Sequence, residues 1–142
     1  MSEISINKAR TMIRKAIQKG RELKVKPLSI VVLDSGGHVK AFEREDGAAP
    51  GRFAIAQAKA YGSIMLGMAG TAQMERAEAQ GYFMNAVNGL YGGQVIPVPG
   101  GALVRDKRGA VIGAVGVTGD SSDNDAICAV FGIEAANLVP EI

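Results

Sequence analysis

PGGALVRDKRGAVIGAVGVTGDSSDND, residues 99–125, decides the fold, because it admits three readings: a phosphate cradle, an acidic metal loop, or a hairpin running into a helix. A phosphate loop needs a strand, a glycine turn and a helix in a βαβ unit, with a cation or helix N-terminus on the anion. GAVGVTG, residues 113–119, spaces its glycines as GxxGxxG and lacks a GKS or GKT ending. Gly113 and Gly116 fall inside a strand and, at odd spacing, on opposite faces, where glycine lets a helix, a ligand or another chain come close. Ser121 or Ser122 caps the following helix, and Asp123 and Asp125 complement its macrodipole. A calcium loop would need more oxygen ligands and a closing glutamate, which this stretch does not supply, so no metal is expected on Asp120, Asp123 and Asp125. What survives is a hairpin and a helix. The free N–H groups at that helix's start, beside Gly100 and Gly101, could hold a carboxylate or other small anion.

Outward from this segment the pattern is regular. Ser5 opens a helix whose stripe is Ile6, Ala9, Ile13, Ala16 and Ile17, ending near Gly20 before Pro27. LSIVVLD, residues 28–34, reads as a strand buried on both faces, SGG as a turn, and HVKAFER as the returning strand. Residues 45–51 form a loop, and a helix follows from Arg52 to Leu66 with Phe53, Ile55, Ala56, Ala60 and Ile64 inward. Residues 72–90 give one or two short helices broken around Gly81. ALVRD and AVIGAVGVTG form a second hairpin, and the last helix runs from Ser122 to Ala136. The order α-β-β-α-α-β-β-α with two sequential hairpins predicts an α+β fold in which helices pack on an antiparallel sheet.

Bulk properties narrow the function. The 142 residues suit one domain, residues 1–142, with a sizeable core. A net charge of +2 is weak for a nucleic-acid binder, and the basic run from Lys8 to Lys26 reads as the solvated face of an amphipathic helix. Cys128 is the only cysteine and lies in AICAVFGI, which predicts a buried thiol and a reducing compartment. The N-terminus lacks an apolar signal core and no segment is long enough to span a bilayer, so a cytoplasmic protein without membrane partners is expected.

One histidine and one cysteine exclude a Ser-His-Asp or Cys-His site argued from spacing. Metal-free acid–base chemistry on a small organic acid needs a carboxylate or lysine shifted by burial and a cation to hold the substrate. Lys59, Glu75 and Arg76 are the catalytic candidates. Arg44, Asp46, Lys59, Tyr61, Gly100, Gly101 and Asp120 are the ligand-binding candidates. Lys59 stands in the apolar stretch AIAQAKAYG, so its charge is expected to be buried in part and to need a partner.

Together, residues 99–136, LSIVVLDSGGHVKAFEREDGA and GRFAIAQAKAYGSI resemble the GlcG/HbpS-like, or haem-degrading domain, family, from about residue 5 to residue 138. The resemblance implies a profilin-like or PAS-like α+β domain with an antiparallel sheet of about five strands between helices. It also implies a homo-oligomer, an octamer in some members, haem as the cofactor in some, and kinship with the C-terminal part of PduO-type cobalamin adenosyltransferases. Haem iron takes His, Cys, Met or Tyr. His38 sits at an exposed turn, residues 1–37 hold no histidine, and Tyr61, Tyr82, Tyr91, Met65, Met68, Met74 and Met84 are the other donors. Glu45 stands where the family commonly carries methionine. Three functions follow: a protein binding a small molecule, haem or a related tetrapyrrole first; a metal-free enzyme on a small organic acid or aromatic catabolite; or a structural or regulatory oligomer subunit. Gly62, Gly67, Gly113 and Gly116 are expected to allow chains to approach closely in the oligomer.

Overall fold

The alternation in residues 28–44 and 101–118 forms two antiparallel hairpins that share one sheet. A computed structural model of the chain describes residues 3–142; the first two residues of the N-terminal stretch lie outside it. The elements in chain order are α1 (Ile6–Glu22), β1 (Ser29–Asp34), β2 (Val39–Arg44), α2 (Arg52–Leu66), α3 (Gly70–Ala79), α4 (Gly81–Leu90), β3 (Gly101–Arg105), β4 (Val111–Thr118), α5 (Ser122–Ala135) and β5 (Val139–Glu141). The sheet runs β2-β1-β4-β3-β5, and every neighbouring pair is antiparallel. The fold is the α+β architecture the patterning predicts. β5 is the fifth strand that the resemblance implies and the eight-element pattern lacks; three residues are too few to show a period.

Period 2 along β4 sorts its side chains to two cores. Val115 and Val117 join Ile30, Val32, Ala102 and Val104 against α1 and α5. Ala114 joins Val31 and Leu33 against Ala56 and Ala60 of α2. The sheet therefore lies between an α1/α5 layer and the α2 layer, and burial of these aliphatic faces supplies the main driving force. α3 and α4 extend the α2 side around a smaller cluster of Met84, Val87 and Val95.

Two glycines set how close α2 comes. Gly101 and Gly116 face each other across β3 and β4. A Cβ at Gly116 would overlap the Ala56 carbonyl, and one at Gly101 would overlap the Lys59 carbonyl. Together they form a trough into which the α2 backbone sinks. On the opposite face a Cβ at Gly113 would meet Ile4 as well as the Leu33 carbonyl. Gly113, Gly116 and Gly62, which abuts Gln73 and Val95, thus serve packing within the chain. This corrects the expectation that they serve contacts between chains; of the four, only Gly67, at the C-cap of α2, faces open space.

Helix boundaries follow local chemistry. Ser5 Oγ accepts from the Lys8 N–H and Ser121 Oγ from the Asn124 N–H, so both N-caps are hydroxyl caps. The α1 stripe differs from the sequence expectation at its ends. Ile6 is 40% exposed, while Met12 and Gly20 are buried. The break in residues 72–90 falls at Gln80, just before Gly81.

Candidate functional site

The most unusual chemistry lies where α2, the turn before β3 and the start of α5 converge. Lys59 is 3% exposed and Asp125 1%. Lys59 Nζ donates to Asp125 Oδ2 at 3.1 Å and to the Val117 carbonyl at 3.0 Å. Asp125 Oδ1 accepts from the Asp120 N–H at 3.1 Å. Burial pushes the lysine below its ordinary value and the aspartate above its own, while each partner's charge opposes that shift. The hydrogen bonds satisfy both groups, which is what a charge removed from water requires.

The PGG turn closes over this pair. Gly100 has φ +111°, and a Cβ on it would lie 2.9 Å from Lys59 Nζ and 3.2 Å from Asp125 Cβ. The sequence reading expects a small anion before the last helix, beside Gly100 and Gly101. The anion found there is the chain's own Asp125 carboxylate. Asp120, at the same helix start, accepts from Asn124 Nδ2 and from the Lys26 N–H, and these bonds hold its carboxyl down to about 2. Nearby, Arg52 Nη1 donates to Thr118 Oγ1 at 2.8 Å.

Sequence reasoning gives Asp125, the partner of Lys59, only a macrodipole role. A signal is present all the same: Asp125, Cys128, Ala129, Gly132 and Ile133 share helical spacing, and all are buried. An acidic residue on the apolar face of a helix is a residue in need of a cation. Immediately outside the pair, Thr71, Pro99, Asp123, Ala126, Ile127, Val130 and Ile142 line a mostly apolar pocket of about 420 Å³. Pro99 and Ala126 are the chain neighbours of Gly100 and Asp125.

A second cluster forms at the β1–β2 turn. Asp34 Oδ1 accepts from the N–H groups of Gly36 and His38, and lies 3.4 Å from His38 Nδ1. The backbone bond from His38 is the main cause that lowers the Asp34 carboxyl below its ordinary value. Gly37 is buried against Met65 and Tyr61, with a Cβ there 3.1 Å from Met65 Cε and 3.3 Å from Tyr61 Cδ1. Tyr61 meets Tyr91 edge-to-face at 6.2 Å. Three residue types able to ligate haem iron therefore gather at this end of the sheet.

The other sequence candidates lie apart. Arg44 and Asp46 are exposed at the end of β2, beside a groove of about 400 Å³ that also holds Arg21, Glu43 and Glu45. Glu45 Oε1 accepts from the Leu28 N–H and Oε2 pairs with Arg21 at 3.5 Å, a use of the side chain that a methionine could not provide. Glu75 is exposed on α3. Arg76 engages Gln80 Oε1 at 2.6 Å and stacks on Phe83 at 4.0 Å, not on its neighbour Glu75. Tyr82 is exposed, its hydroxyl accepting from Gln80 Nε2, and Met84 is in the small core.

The class is that of α+β domains with helices on both faces of a five-stranded antiparallel sheet. The family described as "Haem degrading protein HbpS-like" matches residues 4–134, and the chain belongs to it. No curated protein matches the chain. Among solved structures it is similar to a PduOC–haem complex, at 22% identity with 96% of each chain covered and a TM-score of 0.83. Protein ORFY of Klebsiella pneumoniae is similar at 24% identity, covering 96% of this chain and 92% of that one, with a TM-score of 0.83. A double mutant of Streptomyces reticuli HbpS is similar at 23% identity, covering 94% and 87%, with a TM-score of 0.78. At these identities the likeness is one of fold.

Proposed function

We propose that the protein is a cytoplasmic, single-domain tetrapyrrole-binding protein that takes haem or a close relative and works as a homo-oligomer, an octamer in the simplest extension from its family. The observation that carries this reading is the hairpin turn, where Tyr61 and Met65 pack on Gly37 and the next residue in the chain, His38, turns its imidazole to Asp34 and solvent. The donor set suits the group, because haem iron takes imidazole, phenolate or thioether. His38 is 83% exposed in its side chain, and the Asp34 carboxylate beside Nδ1 favours a proton on that nitrogen, which leaves Nε2 for a metal. Bound haem would supply an iron centre for electron transfer or for binding small oxidants. The chain's own residues would do the rest: Asp34 orients the imidazole, and Tyr61 and Met65 pack on the turn that carries it. So open a donor needs further cover, which a second copy of the chain would provide, and the haem complex formed by a PduOC of the same fold is in keeping with it.

Titration with haemin tests the reading. A Soret band saturating at a fixed haem-to-subunit ratio is expected, with affinity reduced by at least about tenfold in His38→Ala, since losing even an outer-shell partner of a metal ligand costs that much. Native mass spectrometry reads subunit count and retained haem together. A flat titration, or a strictly monomeric particle, overturns the proposal.

A further inference from the structure

A groove lies on the other side of the molecule, between α1 and the edge strand β2. It encloses about 520 Å³ and is lined by Arg10, Arg14, Ile17, Gln18, Arg21 and Glu43. Its size falls within the range of small-molecule sites. The basic residues of α1 are sorted by type. All three arginines of the helix line the groove, and none of its lysines does. Lys15 instead donates to Gln18, and Lys19 pairs with Glu22 and covers the Phe131 ring. Guanidinium groups present a planar fork that matches an oxyanion with two parallel bonds, which an ammonium cannot.

Two of these arginines are unspent. Arg21 pairs with Glu45, but among the described residues Arg10 and Arg14 have no ion-pair or hydrogen-bond partner. They are four residues apart on one helix face, a rise of about 6 Å. We propose that this groove binds a small organic di-anion, with carboxylate or phosphate groups held by Arg10 and Arg14. Ile17, the next residue on the same helix face after Arg14, adds apolar lining. The far end explains why the ligand is small. Beyond Arg21 the groove continues past Glu43, Glu45 and Asp46, three carboxylates against the one further cation Arg44, an excess of negative charge that disfavours a polyanion running along the helix. This site is separate from the hairpin donors and does not depend on tetrapyrrole binding.

Calorimetry at low ionic strength on the assembled protein tests it, with succinate, pyrophosphate, inorganic phosphate and acetate as probes. Succinate or pyrophosphate is expected to bind at least about tenfold more tightly than acetate, and Arg10→Gln and Arg14→Gln are each expected to weaken that binding about tenfold, the scale of one lost charged hydrogen bond. A preference for succinate assigns carboxylates and a preference for pyrophosphate assigns phosphates. Lys8→Gln and His38→Ala should leave the affinity unchanged, which separates this site from the haem reading. Both arginines are exposed, so their variants should melt like the parent. Equal binding of acetate and the di-anions, no binding of any probe, or full affinity in both arginine variants overturns the proposal.

Discussion

Lys59 Nζ lies 3.1 Å from Asp125 Oδ2, and through that contact α2 on one face of the sheet is tied to α5 on the other. The link passes the end of β4, where Lys59 also takes the Val117 carbonyl. Removing one member leaves the other charge buried without a partner. Lys59→Met or Asp125→Leu alone should cost about 3–5 kcal/mol, while the double substitution should recover much of that loss, because an apolar pair of similar volume carries no desolvation cost. Urea unfolding of the two single variants and the double variant measures this; additive losses would refute the pairing argument.

The glycine trough makes a sharper steric prediction. Gly116→Ala puts a methyl into the Ala56 carbonyl and should cost more than about 2 kcal/mol as α2 is lifted from the sheet. Gly89, in the last turn of α4 with nothing near its Cβ position, is the control. There alanine should stabilise by up to about 1 kcal/mol, since it loses less entropy in a helix. Thermal unfolding of the two variants should shift in opposite directions.

Acid should weaken the protein over a defined window. The folded Asp120 carboxyl sits at about 2 against an ordinary 3.8, held down first by Asn124 Nδ2 and then by the Lys26 N–H. A depressed carboxyl contributes stability above 3.8 and loses it as pH falls through about 2. Asp34 is lowered too and acts in the same direction. Melting midpoints should therefore fall between about pH 4 and pH 2. Asp120→Asn should flatten that fall; an unchanged slope would remove Asp120 from the account.

Cys128 should be silent in the folded protein. It is fully buried, and burial pushes its thiol up to about 11, so almost no thiolate exists at neutral pH. Labelling with a thiol-specific reagent should reach one equivalent only after unfolding. Rapid labelling of the native protein would show that α5 opens readily from α1.

Local order was legible because it is written in short-range chemistry. Ser5 and Ser121 cap their helices by hydroxyl, the runs 28–34 and 111–118 alternate or stay apolar at strand length, and Arg52–Leu66 keeps one small-residue face. These features determined the α+β class, the two hairpins and the burial of Lys59 without reference to anything distant. The tertiary structure alone decided what each special residue meets. Asp125 and Lys59 are 66 positions apart, Gly101 and Gly116 form one trough only once β3 and β4 pair, and Arg10 and Arg14 face a groove only because β2 stands beside α1. Periodicity specifies which face of an element is apolar, but contacts across the sheet depend on strand order and helix placement, which no local pattern encodes.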